Sequence, residues 1–382
     1  MKIVSIITRA DAIGGATVHV RDLARGIEDG GHRVVVLIGG KGEVLEEFAR
    51  CGVKYRSLYW LGRAIHPVKD VLAVAELIGA LVELKPDLVC THTAKAGFLG
   101  RVACALLGIP ALYTPHGWSI GDRSSQRRSR IFRVLERGAA PLAASIINVS
   151  QAERELARRH RIAPDHKLEV IYNGVPDVDP ALRARPALAP PHILMIARFE
   201  PPKDHETLLA AVALLKDLPW SLELLGSGPA LAQTRILANS LGLSSRIEFT
   251  PAGSSVPDRL ALSQLLVLSS RSEGFPLSVL EGMRAGLPVV GSDAGGIKEA
   301  VVDGETGFVV EAANPRALAD RLKLLILDST LRETFGSAGR RRYEEYFTFE
   351  QMLEQTLRLY RSVLSVRAAK TRFVREAAHG RK

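Results

Sequence analysis

Residues 269–293 read SSRSEGFPLSVLEGMRAGLPVVGSD, and the hydrophobic period changes twice within them. The run leading in, QLLVLSS (264–270), is short, apolar and β-rich. Pro276, Val279, Leu280 and Met283 then repeat at i, i+3, i+4 and i+7, which predicts a helix with Pro276 at its first position. LPVVGSD (287–293) is a second β-rich run. Strand, loop, helix and strand in this order predict a parallel βαβ unit with a right-handed crossover. Two acids flank the predicted helix start. Glu273 falls in the loop, and Glu281 leaves the apolar stripe; helical side chains lean toward the N-terminus, so Glu281 can reach toward the same strand end.

The same cadence extends in both directions. Upstream, HILMIA (192–197), SLELLG (221–226) and RIEFT (246–250) are each followed by loop residues and a helix or turn. In the first half KIVSIIT, RVVVLIG, PDLVCT, ALYTPHG and SIINVS alternate with helical patterns. The first of these places Val20, Leu23, Ala24 and Ile27 on one face and stops at Gly30 and Gly31. Ser150 with Glu153 forms a capping-box signature for another helix. Between the halves, five prolines fall within residues 176–191. The expected organisation is therefore α/β, with two doubly wound Rossmann-like domains at 1–175 and 192–345 and a linker at 176–191. A helix at 346–382 returns to the first domain and ends in a basic tail. Ligands of such sheets sit at the carboxyl ends of the strands.

Bulk composition narrows the class. The chain has 382 residues, 47% hydrophobic and 24% charged, as a folded protein of about two domains requires. Its 51 Lys and Arg against 41 Asp and Glu give a net charge of +10, which points to anionic partners: nucleotide phosphates, nucleic acid or a negative membrane face. Aromatic residues make up only 5%, too few to interleave the basic clusters as a nucleic-acid surface would. Cys51, Cys90 and Cys104 form no CxxC pair, so they read as small buried hydrophobes in a reducing compartment. The longest stretch free of Asp, Glu, Lys and Arg, residues 102–121, is broken by Pro110, Pro115 and His116; it reads as helix end, turn, strand and loop rather than a membrane span.

Four strand-end loops carry the candidate chemistry. In TRADAIGGATVHV, Gly14 and Gly15 precede a helix, whose amides could face an anion or serve only the turn. In ARFEPPKDHETLL, Arg198 and Lys203 share a loop before Asp204, a candidate N-cap; two cations there suit a diphosphate, while either alone reads as solvated charge. The third loop is the opening stretch, where two carboxylates suit vicinal hydroxyls. The fourth, GSDAGGIKEAVVDGETG, brings Gly295 and Gly296 close to a ligand or to a tight helix entry.

With these loops in this order, the sequence resembles the family 4 retaining glycosyltransferases of the GT-B fold over essentially its whole length. GGATVHVRDLARGIEDGGHRVVVL, IARFEPPKDHETLLAA, LLGSGPAL and SEGFPLSVLEGMRAGLPVVGSDAGGIKEAV carry the resemblance. It implies two Rossmann-like domains facing across a cleft and transfer of a sugar from a nucleotide-sugar, UDP-linked, without metal or cofactor. It implies that Arg198 and Lys203 hold the donor diphosphate with Gly14 and Gly15 approaching it, and that Glu281 binds the ribose. Glu273 with Gly274, Phe275, Pro276 and Leu277 would grip the sugar. His116 in TPHG matches the family's histidine near the sugar, and Thr250 falls where the base is contacted; Glu299 matches a family acid with a structural part to play. The catalytic set on this resemblance is His116, Glu273, Arg198 and Lys203.

The acceptor is expected to be a glycan or polyprenyl-linked sugar of cell-surface polysaccharide assembly. Residues 123–137 hold six arginines against one acid, interleaved with Ile131, Phe132, Val134 and Leu135, which suits a basic amphipathic helix on an anionic membrane or a solvated helix face. The expected location is the cytoplasm, peripheral on the inner membrane face. A nucleotide-sugar epimerase of the same two-domain fold and a basic nucleic-acid-binding protein are the rival functions.

Overall fold

The computed structural model describes residues 1–121 and 126–379. The chain forms two compact units, Met1–Ile171 with Met352–Lys382, and Tyr172–Gln351. The first unit contains strands β1 (Lys2–Ile7), β2 (Arg33–Gly39), β3 (Tyr55–Leu58), β4 (Leu88–His92), β5 (Ala111–Thr114), β6 (Ser145–Asn148) and β7 (Leu168–Val170). Its helices are α1 (Gly15–Asp29), α2 (Glu43–Arg50), α3 (Pro67–Leu84), α4 (Ala94–Leu107), α5 (Gln126–Ala139) and α6 (Gln151–Arg159). The strands pair in parallel in the order β3-β2-β1-β4-β5-β6-β7. The order reverses direction between β1 and β4, the place where such sheets bind ligands.

β1 is buried from Ile3 to Ile7, as a central parallel strand covered on both faces must be. α1 buries Val20, Leu23, Ala24 and Ile27, the predicted face, and Gly31 supplies the left-handed turn at φ 77° that ends it. Residues 102–121 are the end of α4, a left-handed Gly108, β5 and a loop, as expected. The three cysteines are free, and burial pushes the Cys90 and Cys104 thiols up to about 12. α5 is fastened to α4 by a buried ion pair: Arg101 donates to Glu136 at 2.7 Å, and Tyr113 Oη donates to the same carboxylate at 3.0 Å. On its outer side α5 leaves Ile131, Val134 and Leu135 exposed.

The second unit contains β8 (His192–Ile196), β9 (Ser221–Leu225), β10 (Ile247–Thr250), β11 (Leu265–Leu268), β12 (Val289–Ser292) and β13 (Gly307–Val310). Its helices are α7 (His205–Ala213), α8 (Leu231–Ser240), α9 (Val256–Leu262), α10 (Leu277–Ala285), α11 (Ile297–Ala300), α12 (Pro315–Leu327) and α13 (Ser329–Tyr346). The parallel order β10-β9-β8-β11-β12-β13 repeats the first unit's plan, with its reversal between β8 and β11. The final helix α14 (Phe349–His379) carries the chain from Met352 onward into the first unit.

Residues 176–191 belong to the second unit, where three arginines tie them down as a strap. Arg340 makes two 2.6 Å bonds to Asp177, and Arg284 donates to the carbonyl of Pro176. Arg332, 1% exposed, donates to the carbonyls of Pro186, Leu188, Leu325 and Ile326. The guanidinium can be buried here because its fork of donors finds four carbonyl oxygens, with Asp328 adding a favourable charge.

Candidate active site

In the second unit the predicted residues converge on the carboxyl ends of β8 and β11. Arg198 and Lys203 lie between β8 and α7, and Glu273 lies between β11 and α10; the strands are neighbours, so residues 70 positions apart meet. Lys203 Nζ donates to Glu273 Oε1 at 2.5 Å, with the two side chains 19% and 10% exposed. Arg198 pairs with Glu200 at 3.0 Å. Both cations that the sequence assigns to a diphosphate thus carry a carboxylate partner. Lysine has three donors and arginine five, so each can keep its acid and still meet a phosphate oxygen. Asp204 caps α7 through Oδ1, which accepts from the Thr207 amide at 3.1 Å, and its Oδ2 accepts from Arg271 at 2.9 Å. That cap fixes the start of α7 directly after Lys203.

α10 begins one residue later than the period suggests. Pro276 stands at its N-cap in an extended conformation, ψ 126°, and Leu277 is the first helical residue. The helix buries Leu277, Val279, Leu280 and Gly282 through Ala285, leaving Ser278 and Glu281 half-buried one turn apart on a single face. Gly274 and Phe275 precede it. The Phe275 ring packs at 5.0 Å from Tyr172 and 5.3 Å from Phe347, so this residue offers backbone rather than side chain to a ligand. Its carbonyl accepts from Asn173 Nδ2 at 2.7 Å.

Adjacent loops lock this geometry by close backbone approach. A Cβ on Gly295, at φ 58°, would stand 1.7 Å from the carbonyl oxygen of Glu273, and the Gly296 amide donates to the Gly274 carbonyl at 3.1 Å. Gly226 and Gly228 seat the loop after β9 on Ala197 and Phe199 in the same way. Thr250 ends β10, where its carbonyl accepts from the Gly226 amide at 3.0 Å and its hydroxyl donates to Glu248. Glu299 accepts from the Tyr172 hydroxyl at 2.9 Å.

In the first unit Gly14 and Gly15 open α1. Thr17 closes the entry reciprocally: its hydroxyl receives the Gly14 amide at 2.8 Å and donates to the Gly14 carbonyl at 2.7 Å. His116 follows β5 with a left-handed backbone, φ 56°. The loop is held beyond it by Trp118, whose amide donates to Glu153 at 2.9 Å and whose indole donates to Asn148 at 3.0 Å. Glu153 therefore serves this loop in addition to the capping position read from the sequence, where its own amide bonds Ser150 Oγ at 3.2 Å.

Sequence reasoning passed over two residues beside His116. His92 ends β4 and His19 lies on α1, and ligating atoms of all three rings lie within 4.8 Å of one another. His92 Nδ1 is 3.0 Å from His116 Nε2. Burial, with mutual repulsion among the rings, pushes His92 down to about 3 and His116 well below the ordinary imidazole value. Two neutral imidazoles therefore face each other. The residues come from three segments of chain, and only the strand order β1-β4-β5 joins them.

Comparison with known proteins agrees with this plan. The glycosyl transferase 4-like domain model matches residues 14–174, and the glycosyl transferases group 1 model matches residues 182–342. The chain is 29% identical over 316 residues to the D-inositol 3-phosphate glycosyltransferase of Streptomyces avermitilis, covering 75% of this chain and 67% of that one. It is 26% identical over 271 residues to the UDP-Gal:alpha-D-GlcNAc-diphosphoundecaprenol alpha-1,3-galactosyltransferase of Escherichia coli, covering 66% and 69%. Among solved structures, HepE of Anabaena in complex with UDP and glucose superposes with a TM-score of 0.82 at 22% identity, over 95% of this chain and 100% of that one. Sucrose-phosphate synthase of Thermosynechococcus elongatus superposes with a TM-score of 0.79 at 22% identity, over 96% and 99%.

Proposed function

Because the chain belongs to the family 4 glycosyltransferases and has their GT-B fold, we propose that it transfers a sugar from a UDP-sugar to a glycan or polyprenyl-linked acceptor in cell-surface polysaccharide assembly. Transfer retains the anomeric configuration and uses no metal. The observation that carries this reading is the grouping of Arg198, Lys203 and Glu273 at the β8–β11 reversal, with Glu281 on the helix that follows. The bound nucleotide of the Anabaena structure and the lipid diphosphate in the name of the Escherichia coli relative favour this donor and acceptor class.

Arg198, Lys203 and the capped start of α7 hold the diphosphate. Glu281 takes the ribose hydroxyls, the Thr250 strand end takes the base, and Glu273 with the backbone of Gly274 to Leu277 takes the sugar. As the anomeric bond breaks, negative charge grows on the departing UDP. Two fixed cations and an aligned helix start stabilise that charge without reorganising, often the largest contribution to catalysis. This supply of positive charge also supports transfer without a metal. His116 faces the sugar as a neutral hydrogen-bonding group.

The apolar stripe of Ile131, Val134 and Leu135, continued by Leu142 and flanked by Arg130, Arg133 and Arg137, supports peripheral contact with an anionic membrane on the cytoplasmic side. Residues 122–125 of the arginine-rich segment lie outside the described residues. Among the described residues no helix is long and apolar enough to cross a membrane. The functional test is UDP release from UDP-sugars with and without a polyprenyl-diphosphate-linked acceptor. Release that requires the acceptor is expected. Epimerised donor, or release indifferent to acceptor, overturns the reading.

A further inference from the structure

The His92–His116 contact has a direction. The ring nitrogens are 3.0 Å apart, the centroids 5.2 Å apart and the planes 23° apart. The rings therefore lie end to end, with the hydrogen bond running in their planes rather than between their faces. Lone pairs that point along one line do not converge on a third point, so this pair is built for a proton and not for a metal ion, whose ligand lone pairs must meet at the ion. Among the described residues, the further charged group that bears on the pair is a third imidazole, His19, set edge-on to His116 at 4.7 Å between centroids.

One proton occupies the line between the two nitrogens, and the far side of His92 shows which ring owns it. His92 is 1% exposed, and among the described residues its buried Nε2 has no hydrogen-bond partner. If His116 donated, His92 would carry its proton on Nε2 and bury an orphaned N–H, which folded proteins rarely tolerate; if His92 donates, Nε2 keeps only a bare lone pair, the lesser loss. We propose that His92 is a positioning residue for sugar transfer: its Nδ1–H donates to His116 Nε2 and fixes His116 as the tautomer whose proton sits on Nδ1. His116 then meets the sugar as an Nδ1–H donor. This rests on the reading of His116 as the sugar-facing residue.

Long-range 15N–1H correlation spectra of histidine-labelled protein test the tautomer without reference to activity. Expected are a pyridine-like Nε2 and a pyrrole-like Nδ1 for His116 at pH 7; the reverse pattern, or stoichiometric Co2+ binding that perturbs these signals, overturns the proposal. In kinetics, His92→Leu keeps bulk but no donor and should lower kcat about tenfold to hundredfold with KM for the UDP-sugar within about threefold. His92→Asn, which can place an amide N–H near the Nδ1 position, should restore kcat to within about threefold. A folded Leu variant with wild-type kcat overturns the positioning claim. If His116→Ala retains full activity while the spectra show the expected tautomer, it is the functional reading of His116 that fails, and the hydrogen-bond assignment stands.

Discussion

Gly295→Ala is the substitution whose consequence the backbone geometry fixes most tightly. The added methyl would stand 1.7 Å from the Glu273 carbonyl oxygen, and a Cβ essentially never comes nearer than 3.0 Å to such an atom, so the loops after β11 and β12 must part by about 1.3 Å. The residue also sits at φ 58°, where an L side chain costs roughly 1–2 kcal/mol. Gly304→Ala is the matched control: at φ 75° it carries the same backbone strain, no atom of the described residues lies within 4 Å of its Cβ, and it precedes β13 at the amino end of the sheet. The control should lose about 1–2 kcal/mol of stability and keep its turnover. Gly295→Ala should lose about 1–3 kcal/mol more from overpacking. Displacing the Glu273 backbone by an ångström should also cost about 100-fold in acceptor-dependent UDP release. Urea unfolding followed at Trp220, in the second unit, and the release assay measure the two effects. If both variants match in turnover to within about twofold, the claim that Gly295 positions Glu273 is wrong.

Three other consequences are open to measurement. Arg101→Met leaves Glu136 buried beside α4 without its cation and should cost about 3 kcal/mol in urea unfolding, with Glu136→Gln in the same chain recovering a large part; a loss under about 1 kcal/mol contradicts the pairing. Burial alone would raise the Glu223 carboxyl, but hydrogen bonds from His192 and Arg259 hold it down to about 2 against an ordinary 4.5. Its stabilisation, about 3 kcal/mol, is therefore present above pH 4.5 and lost as pH falls toward 2, and Glu223→Gln should flatten acid unfolding in that window. Ile131→Asp with Val134→Asp should lower sedimentation with anionic vesicles at low salt by about tenfold or more. Wild-type protein that fails to sediment would remove the membrane contact.

The repeated alternation of strand and helix was legible because both sheets are parallel and buried, which leaves near-continuous apolar runs separated by amphipathic helices. Arg198, Lys203 and Glu273 stood out because each follows a strand end, where side chains have no core to fill, and Glu281 because it leaves the apolar stripe of α10. What the chain could not announce depends on strand neighbours. The Lys203–Glu273 pair requires β8 beside β11, and the three histidines require β1, β4 and β5 side by side. The proline-rich 176–191 segment has no hydrophobic period, so its attachment to the second unit came from Arg284, Arg332 and Arg340, far along the chain. The start of α10 moved by one residue because Pro276, with ψ 126°, caps the helix instead of entering it.

The most direct test of the account is calorimetric titration of UDP into the full-length protein and into the Arg198→Ala, Lys203→Ala double variant. Two charge-assisted contacts to one diphosphate predict at least about a hundredfold loss of affinity in the double variant with its fold intact. Affinity within about threefold of the unsubstituted protein would contradict the assignment of the diphosphate to the β8–α7 loop.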